Sequence, residues 1–226
     1  MRSNLVWLGL VSLIGTSHAT PIPIPGSFVL TINQTIENGG GIVVESRGKP
    51  ETDAAFQYRD VNKLLRPTIR VIAPGLAVHE LLAASGPNLD VVNQAGDAIT
   101  SVRRATGPGL PLLDAPKLKS LVWKKTEYPG RRPFTHIGVT AMFAGTVPPQ
   151  ALALVMYRLD RSGKTGKTPL SWGLASGDRA EVYRNPGMCE LPRAFIEPAV
   201  GERVVVAWLD KSGRLSPTSA PITVSK

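Results

Sequence analysis

The stretch KLKSLVWKKTEYPGRR, from Lys117 to Arg132, sets Lys117, Lys119, Lys124, Lys125, Arg131 and Arg132 against the single acid Glu127, with Trp123 and Tyr128 interleaved. Cations and ring faces in one track can hold a polyanion, the charges pairing with acidic groups and the rings stacking on sugars or bases. The same residues also suit a solvated edge strand, in which lysine blocks unwanted pairing and Trp123 turns into a core. Hydrolysis by paired carboxylates needs two acids facing one cleft. Here Glu45, Glu51, Asp53 and Asp60 are spread through the first half, and the pair to inspect in the second half is Asp178 and Glu181 in SGDRAEVY. That pair reads as loop solvation. A hydrolytic site in the first half would be drawn from Glu45, Asp53, Asp60 and His79.

Zinc needs three or four ligands, and neither His79 nor His136 has a histidine or cysteine partner at ligand spacing. Gly-x-Ser-x-Gly is absent, as are Walker and Rossmann glycine loops. GKTGKT at 163–168 lacks the spacing and the following helix of a phosphate loop. Asp160 and Asp210 stand in DRSG and DKSG, each one carboxylate beside a cation, where a calcium loop gathers several oxygens. No cofactor or metal is expected. The single cysteine, Cys189 in NPGMCELP, excludes an internal disulfide and reads as a small buried apolar residue.

The chain has 226 residues and a formal charge of +9, a basic excess that favours anionic surfaces in a salt-dependent way or serves solubility. Its first residues, MRSNLVWLGLVSLIGTSHA, carry Arg2, an apolar stretch from Leu5 to Ile14, and the small residues Ser17 and Ala19. This is the three-part pattern of a secretory leader, with cleavage expected after Ala19. The apolar stretch is shorter than the roughly 20 residues a membrane span requires. A secreted or periplasmic address is therefore expected, without a membrane span after cleavage. Asn33-Gln34-Thr35 spells a glycosylation sequon, a triplet that arises easily by chance.

The elements that must position these residues read mostly as strands. TPIPIPG at 20–26 is a Pro-rich linker or edge segment. SFVLTINQTI alternates as a strand does, and NGGGIVVE adds a glycine turn and a second strand. Ala54, Tyr58, Val61 and Leu65 recur at helical spacing and predict a short helix over 52–66, stopped by Pro67. TIRVIA, LDVVNQAG and AITSVRRA read as strands, whereas LAVHELLAAS fits either state. TGPGLPLLDAPK, from Thr106 to Lys117, is the sharpest change of composition in the mature chain and marks a linker over 106–116. Beyond it KLKSLVW, FTHIGVTAMFAG, ALALVMYRLD, ERVVVAWLD and APITVS are strands separated by Gly and Pro, the pattern of a β-sandwich.

LDRSGK at 159–164 and LDKSGR at 209–214 write one turn twice, each after an apolar strand. Gly163 and Gly213 supply positive φ, and Asp160 and Asp210 can accept from backbone amides in the turn. The segment from Phe195 to Lys226 resembles the last two strands of a fibronectin type III domain. Pro198, Val204, Val206, Trp208, Gly213, Ser216, Pro217, Ser219, Ile222 and Val224 stand in that family's places, and a looser likeness extends back to about Ala115. The corner tyrosine of such sandwiches is replaced by Arg203 and Val204, and FTHIGVTAMF has no tryptophan. The resemblance implies a binding or spacing module of the fibronectin/immunoglobulin superfamily, with the two repeated hairpins near each other in one sheet. It carries no catalytic residues over.

The expectation is an all-β protein: an immunoglobulin/fibronectin-III-like sandwich at 117–226, preceded by a smaller β-rich domain at 27–105 with one short helix. Its function would be non-catalytic binding of a protein or glycan partner at the cell envelope. A second reading is a polyanion- or polysaccharide-binding module using the basic track. A third is a hydrolytic enzyme with its site in the first domain. Nucleic acid is not an expected partner at an exported address.

Overall fold

The computed structural model describes residues 27–31, 35–37, 40–46, 56–82, 84–93, 95–107, 109–129, 134–184 and 196–226. The expected leader, the 20–26 segment, Asn33 of the sequon, Asp53, Cys189, Arg131 and Arg132 lie outside these residues. Among the described residues the chain is all-β, with no helix. Three sheets account for the strands.

The first sheet joins β1 (Ser27–Val29), β3 (Ile42–Ser46), β7 (Leu76–Glu80) and β6 (Thr68–Ala73) in that order, all antiparallel. The second runs β2 (Thr35–Ile36), β9 (Ala98–Arg104), β8 (Asn88–Val92), β4 (Gln57–Asp60) and β5 (Lys63–Leu65), with β2 parallel to β9. The third has the order β10 (Leu118–Tyr128), β11 (Phe134–Phe143), β14 (Arg179–Arg184), β13 (Thr165–Ser176), β12 (Ala151–Leu159), β15 (Arg203–Asp210) and β16 (Ile222–Thr223). Its two edges meet. Val122 and Ser225 form a parallel bridge, the Trp123 amide donates to the Ser225 carbonyl at 2.7 Å, and the Ser225 amide donates to the Leu121 carbonyl at 2.9 Å.

Three apolar clusters alternate with the sheets. The third sheet curls around one of them, with Leu121, Val139, Phe143 and Val182 on one side and Leu154, Met156, Val206 and Trp208 on the other. A second cluster lies between the first sheet and the outer side of the third, uniting Val43, Ile72, Leu76 and Val78 with Ala153, Val155, Trp172 and Leu209. The remaining cluster sets Val29, Ile42 and Val44 against Tyr58, Leu65, Leu89, Val91 and Val102 of the second sheet. Strands β3 and β15 are therefore covered on both faces, and so is most of β12. That is why their sequences run as IVV, LALVM and VVVAWL and do not alternate with polar residues. Burial of each such side chain contributes roughly 2 kcal/mol.

The helix expected over 52–66 is not formed in the part described. From Gln57 onward the chain makes the β4–β5 hairpin, with Tyr58 opposite Leu65 and Asp60 opposite Lys63. A separation of seven suits two helical turns and equally suits a cross-strand pair, and burial decides between them. Tyr58 and Leu65 are buried together, whereas Val61, which a helix would place on the same stripe, is 76% exposed at the turn. Val61 sits at the first central position of this two-residue turn with φ of +56°, where glycine is normally found. β13 is the polar strand that completes the LDRSGK hairpin, pairing with β12, whereas β14 is not legible as a strand. The signal that marks β14 is the Gly177-Asp178 turn between paired Ser176 and Arg179.

The two copies of the repeated turn have one geometry. In each, the Asp amide donates to the carbonyl four residues on, the Gly amide donates back to the Asp carbonyl, and Asp Oδ1 accepts from the Ser and Lys or Arg amides. Gly163 and Gly213 take φ of +80° and +76°. This is a three-residue hairpin loop closed by a glycine bulge. Strands β12 and β15 are neighbours, but they are antiparallel, Ala151 facing Asp210 and Arg158 facing Val204. The two turns therefore stand at opposite ends of the pair, about 25 Å apart at roughly 3.3 Å per residue. They share a sheet and are not side by side.

Their surroundings differ as well. Residues 160–164 are exposed, while Asp210, Ser212 and Gly213 are buried against the first half of the chain. Ser212 Oγ accepts from the Glu37 amide at 2.9 Å, the Ser212 carbonyl accepts from the Gly41 amide at 2.8 Å, and Arg70 Nη2 donates to the Gly213 carbonyl at 2.9 Å. A Cβ on Gly213 would meet both Val78 methyl carbons at 2.7 Å, whereas one on Gly163 would meet nothing within 4 Å. Gly163→Ala should thus cost only the left-handed backbone penalty, about 1–2 kcal/mol. Gly213→Ala should add an overpacking cost of about 1–3 kcal/mol. Urea denaturation of the two variants checks this; equal losses would mean that the second turn is not packed as described.

Candidate binding cleft

No strand is described between Arg104 and Leu118, and residues 110–117 form a strap pinned at both ends. At one end the Leu110 amide donates to Glu37 Oε2 at 3.1 Å, and Arg214 Nη1 donates to the Leu110 carbonyl at 2.8 Å. At the other the Ala144 amide donates to the Lys117 carbonyl at 2.9 Å. Pro111 and Pro116 lack an amide hydrogen and fix φ, so the strap neither joins a sheet nor coils into a helix.

Between strap and sheet lies a cleft of about 630 Å³, whose walls include Leu110, Leu112, Leu113, Phe143 and Trp208. Phe143 ends β11 and Trp208 lies near the end of β15. Their rings are 4.7 Å apart at centroids, tilted by 48°, and both are almost fully buried, which gives the cleft a rigid aromatic floor. Leu110 and Leu112, by contrast, are about half exposed. Asp114, Lys117, Thr146 and Gln150 are the polar side chains of the lining. A second cleft of about 590 Å³ shares Asp114, Ala115 and Lys117 and is completed by Leu118, Ser219, Ala220, Pro221 and Ile222. Apolar walls with a few polar groups at the margin can bury an apolar group and orient it.

The residues singled out in the sequence are distributed differently. Lys117 lies at both clefts, and Lys119, Lys124, Lys125 and Tyr128 are exposed along β10. Strand alternation puts Trp123 and Lys125 on the face that carries Leu121, and Lys124 on the opposite face with Val122. Trp123 packs against the cluster inside the third sheet, and its Nε1 donates to Glu197 at 3.1 Å. Lys125 pairs with Glu127 at 2.7 Å and holds that carboxyl below the usual glutamate range. The described members of the basic track therefore do not share one face.

The acids and histidines are not gathered either. Glu45 lies on the face of β3 that carries Val43, and His79 lies on the other side of the first sheet, where its Nδ1 is 2.6 Å from the Tyr58 hydroxyl. His136 Nε2 is 3.7 Å from Glu181 on an open sheet face, and Asp178 pairs with Arg179. Among the described residues no three metal-ligating side chains cluster. No protein-family model matches the chain, and no curated protein matches it.

The cleft went unread in the sequence because a Gly/Pro stretch reads as a linker. The signal present was GLPLLDAP itself, since three leucines are more apolar surface than a solvated linker needs.

Asp60 has a structural task. Its carboxylate accepts from the Ser85 amide at 2.7 Å, the Gly86 amide at 3.1 Å and the Ser85 hydroxyl at 3.3 Å. Arg104 Nη1 closes the same loop by donating to the Ala84 carbonyl at 2.6 Å. The two amides, Ser85 first, hold the Asp60 carboxyl below the ordinary aspartate range. Its contribution is present in full above the unfolded-state pKa of about 3.9 and is lost as pH falls through the lower folded value. Wild type should therefore exceed Asp60→Ala in denaturation midpoint by most near neutral pH, and the gap should close below about pH 4. A gap independent of pH would remove the carboxylate from this account.

Proposed function

We propose that the chain is an exported, non-catalytic binding or accessory protein that holds a protein partner at the cell envelope through the cleft beside the 110–117 strap. The observation that carries this reading is the pairing of half-exposed Leu110 and Leu112 with a buried Phe143–Trp208 floor. Such a site receives an apolar side chain or a short apolar segment. A glycan would stack on an open ring face, and Trp208 is only 3% exposed.

The scaffold behind the cleft is, on this reading, an immunoglobulin/fibronectin-III-like sandwich over 117–226, preceded by a smaller β-rich domain over 27–105. The strand order supports it: β10, β11 and β14 stand together, and the third and sixth strands of this half, β12 and β15, are neighbours. The three-part leader supports a secreted or periplasmic address.

A second reading, an anionic polysaccharide or wall polymer held by cations, draws on Lys117 at both clefts and on exposed Lys119 and Lys124. One experiment separates the two. The mature protein, its Leu110→Asp/Leu112→Asp variant and its Lys117→Glu/Lys124→Glu variant are immobilised and exposed to envelope extract across a salt series. For the cleft reading, a captured protein is retained at high salt and bound at least about tenfold more weakly by the leucine variant, as loss of apolar burial demands. Capture that fails at high salt and in the lysine variant alone would transfer the function to the polyanion reading.

A further inference from the structure

Two turns lie near the Asp60 end of the second sheet. One is the β4–β5 turn carrying Val61, 76% exposed; the other is the turn after β7 carrying Leu82, 87% exposed. Asp60 ties them together by accepting from the Ser85 and Gly86 amides. Leu64, one step along β5, is 57% exposed. Exposed Lys63 follows the first turn, and exposed Arg103 lies opposite Asn88 at the same end. Of the acids near this end, Asp60 accepts from those amides and Glu80 pairs with Arg70 at 2.6 Å, while Asp90 lies opposite Arg59 on β4. Val61 is also the described non-glycine residue at positive φ, a β-branched side chain held outward in a conformation that favours glycine.

We infer that this end of the molecule is a membrane-docking prong, in which Val61, Leu64 and Leu82 enter the interface of an anionic bilayer while Lys63 and Arg103 meet its headgroups. The shape favours a bilayer over a folded partner, because the two most exposed apolar side chains, Val61 and Leu82, stand on turns, and a fluid interface closes around such a tip without a matching pocket. The charge agrees, since cations beside an interfacial apolar group strengthen binding to acidic lipid. The prong is separate from the strap cleft and stands whether or not that cleft binds a partner.

The test is flotation of the mature chain with vesicles of phosphatidylcholine alone and with about a quarter phosphatidylglycerol, the fraction bound being read at low and physiological salt. Wild type should float with the anionic vesicle and not with the neutral one. Lys63→Glu should weaken binding about fivefold to tenfold. Val61→Asp/Leu64→Asp/Leu82→Asp should abolish it. Val61→Gly separates docking from folding: it relieves the strained φ, so it should raise the thermal midpoint while lowering the bound fraction. Leu110→Asp/Leu112→Asp should float as wild type does. No binding to anionic vesicles, equal binding to neutral ones, or undiminished flotation of the triple aspartate variant overturns the inference.

Discussion

Strand β15 has apolar side chains on both faces, and each face must be covered before the strand can leave water. Val204, Val206 and Trp208 are covered by the curl of the third sheet, and Leu209 by the first sheet. Neither cover suffices alone, because a strand buried on one side only would leave a row of aliphatic side chains in solvent. The first sheet meets the same demand, with Val43 and Val78 turned toward the third sheet and Ile42 and Val44 toward the second. The stacking of the sheets follows from this mutual covering.

Apolar faces can slide over one another, and the polar contacts that set their position are concentrated at the second copy of the repeated turn. Ser212 and Gly213 present oxygens that are met by Glu37, Gly41 and Arg70, and Arg214 reaches on to Leu110 at the start of the strap. A buried carbonyl without a partner is costly, which makes these contacts selective for one register. Trp172 adds a further tie across the same interface through its Nε1 and the Pro74 carbonyl, 2.9 Å apart. The turn, the strap and the cleft thus form one continuous arrangement, and the cleft keeps its shape because its strap is held by the contact that joins the two halves.

Much of the strand content was legible in the residues. TIRVIA, LDVVNQAG, FTHIGVTAMF and ALALVMYRLD form strands where β-branched residues and period-two spacing place them. The segment from Gln57 to Leu65 reads as a helix in sequence and forms a hairpin, because Tyr58 and Leu65, seven apart, satisfy both equally and only the exposure of Val61 tells them apart. β13 is legible through the hairpin turn that precedes it and not through its own pattern, which Gly166, Lys167 and Pro169 break. At the site, Lys117 was recognised as a candidate, whereas Leu110, Leu112, Phe143 and Trp208 were not. Their significance lies in proximity across more than ninety residues of chain, which local spacing does not encode.

The sequence by itself determined most of the strands and the geometry of each Asp-x-Ser-Gly turn, because these rest on interactions within a few residues. Which copy of that turn would be buried was decided only by the tertiary structure. DRSG and DKSG have the same local chemistry, and their fates diverge because antiparallel pairing of β12 with β15 sends them to opposite ends of the sheet. At one end the chain meets Glu37, Gly41, Arg70 and Val78; at the other it meets water.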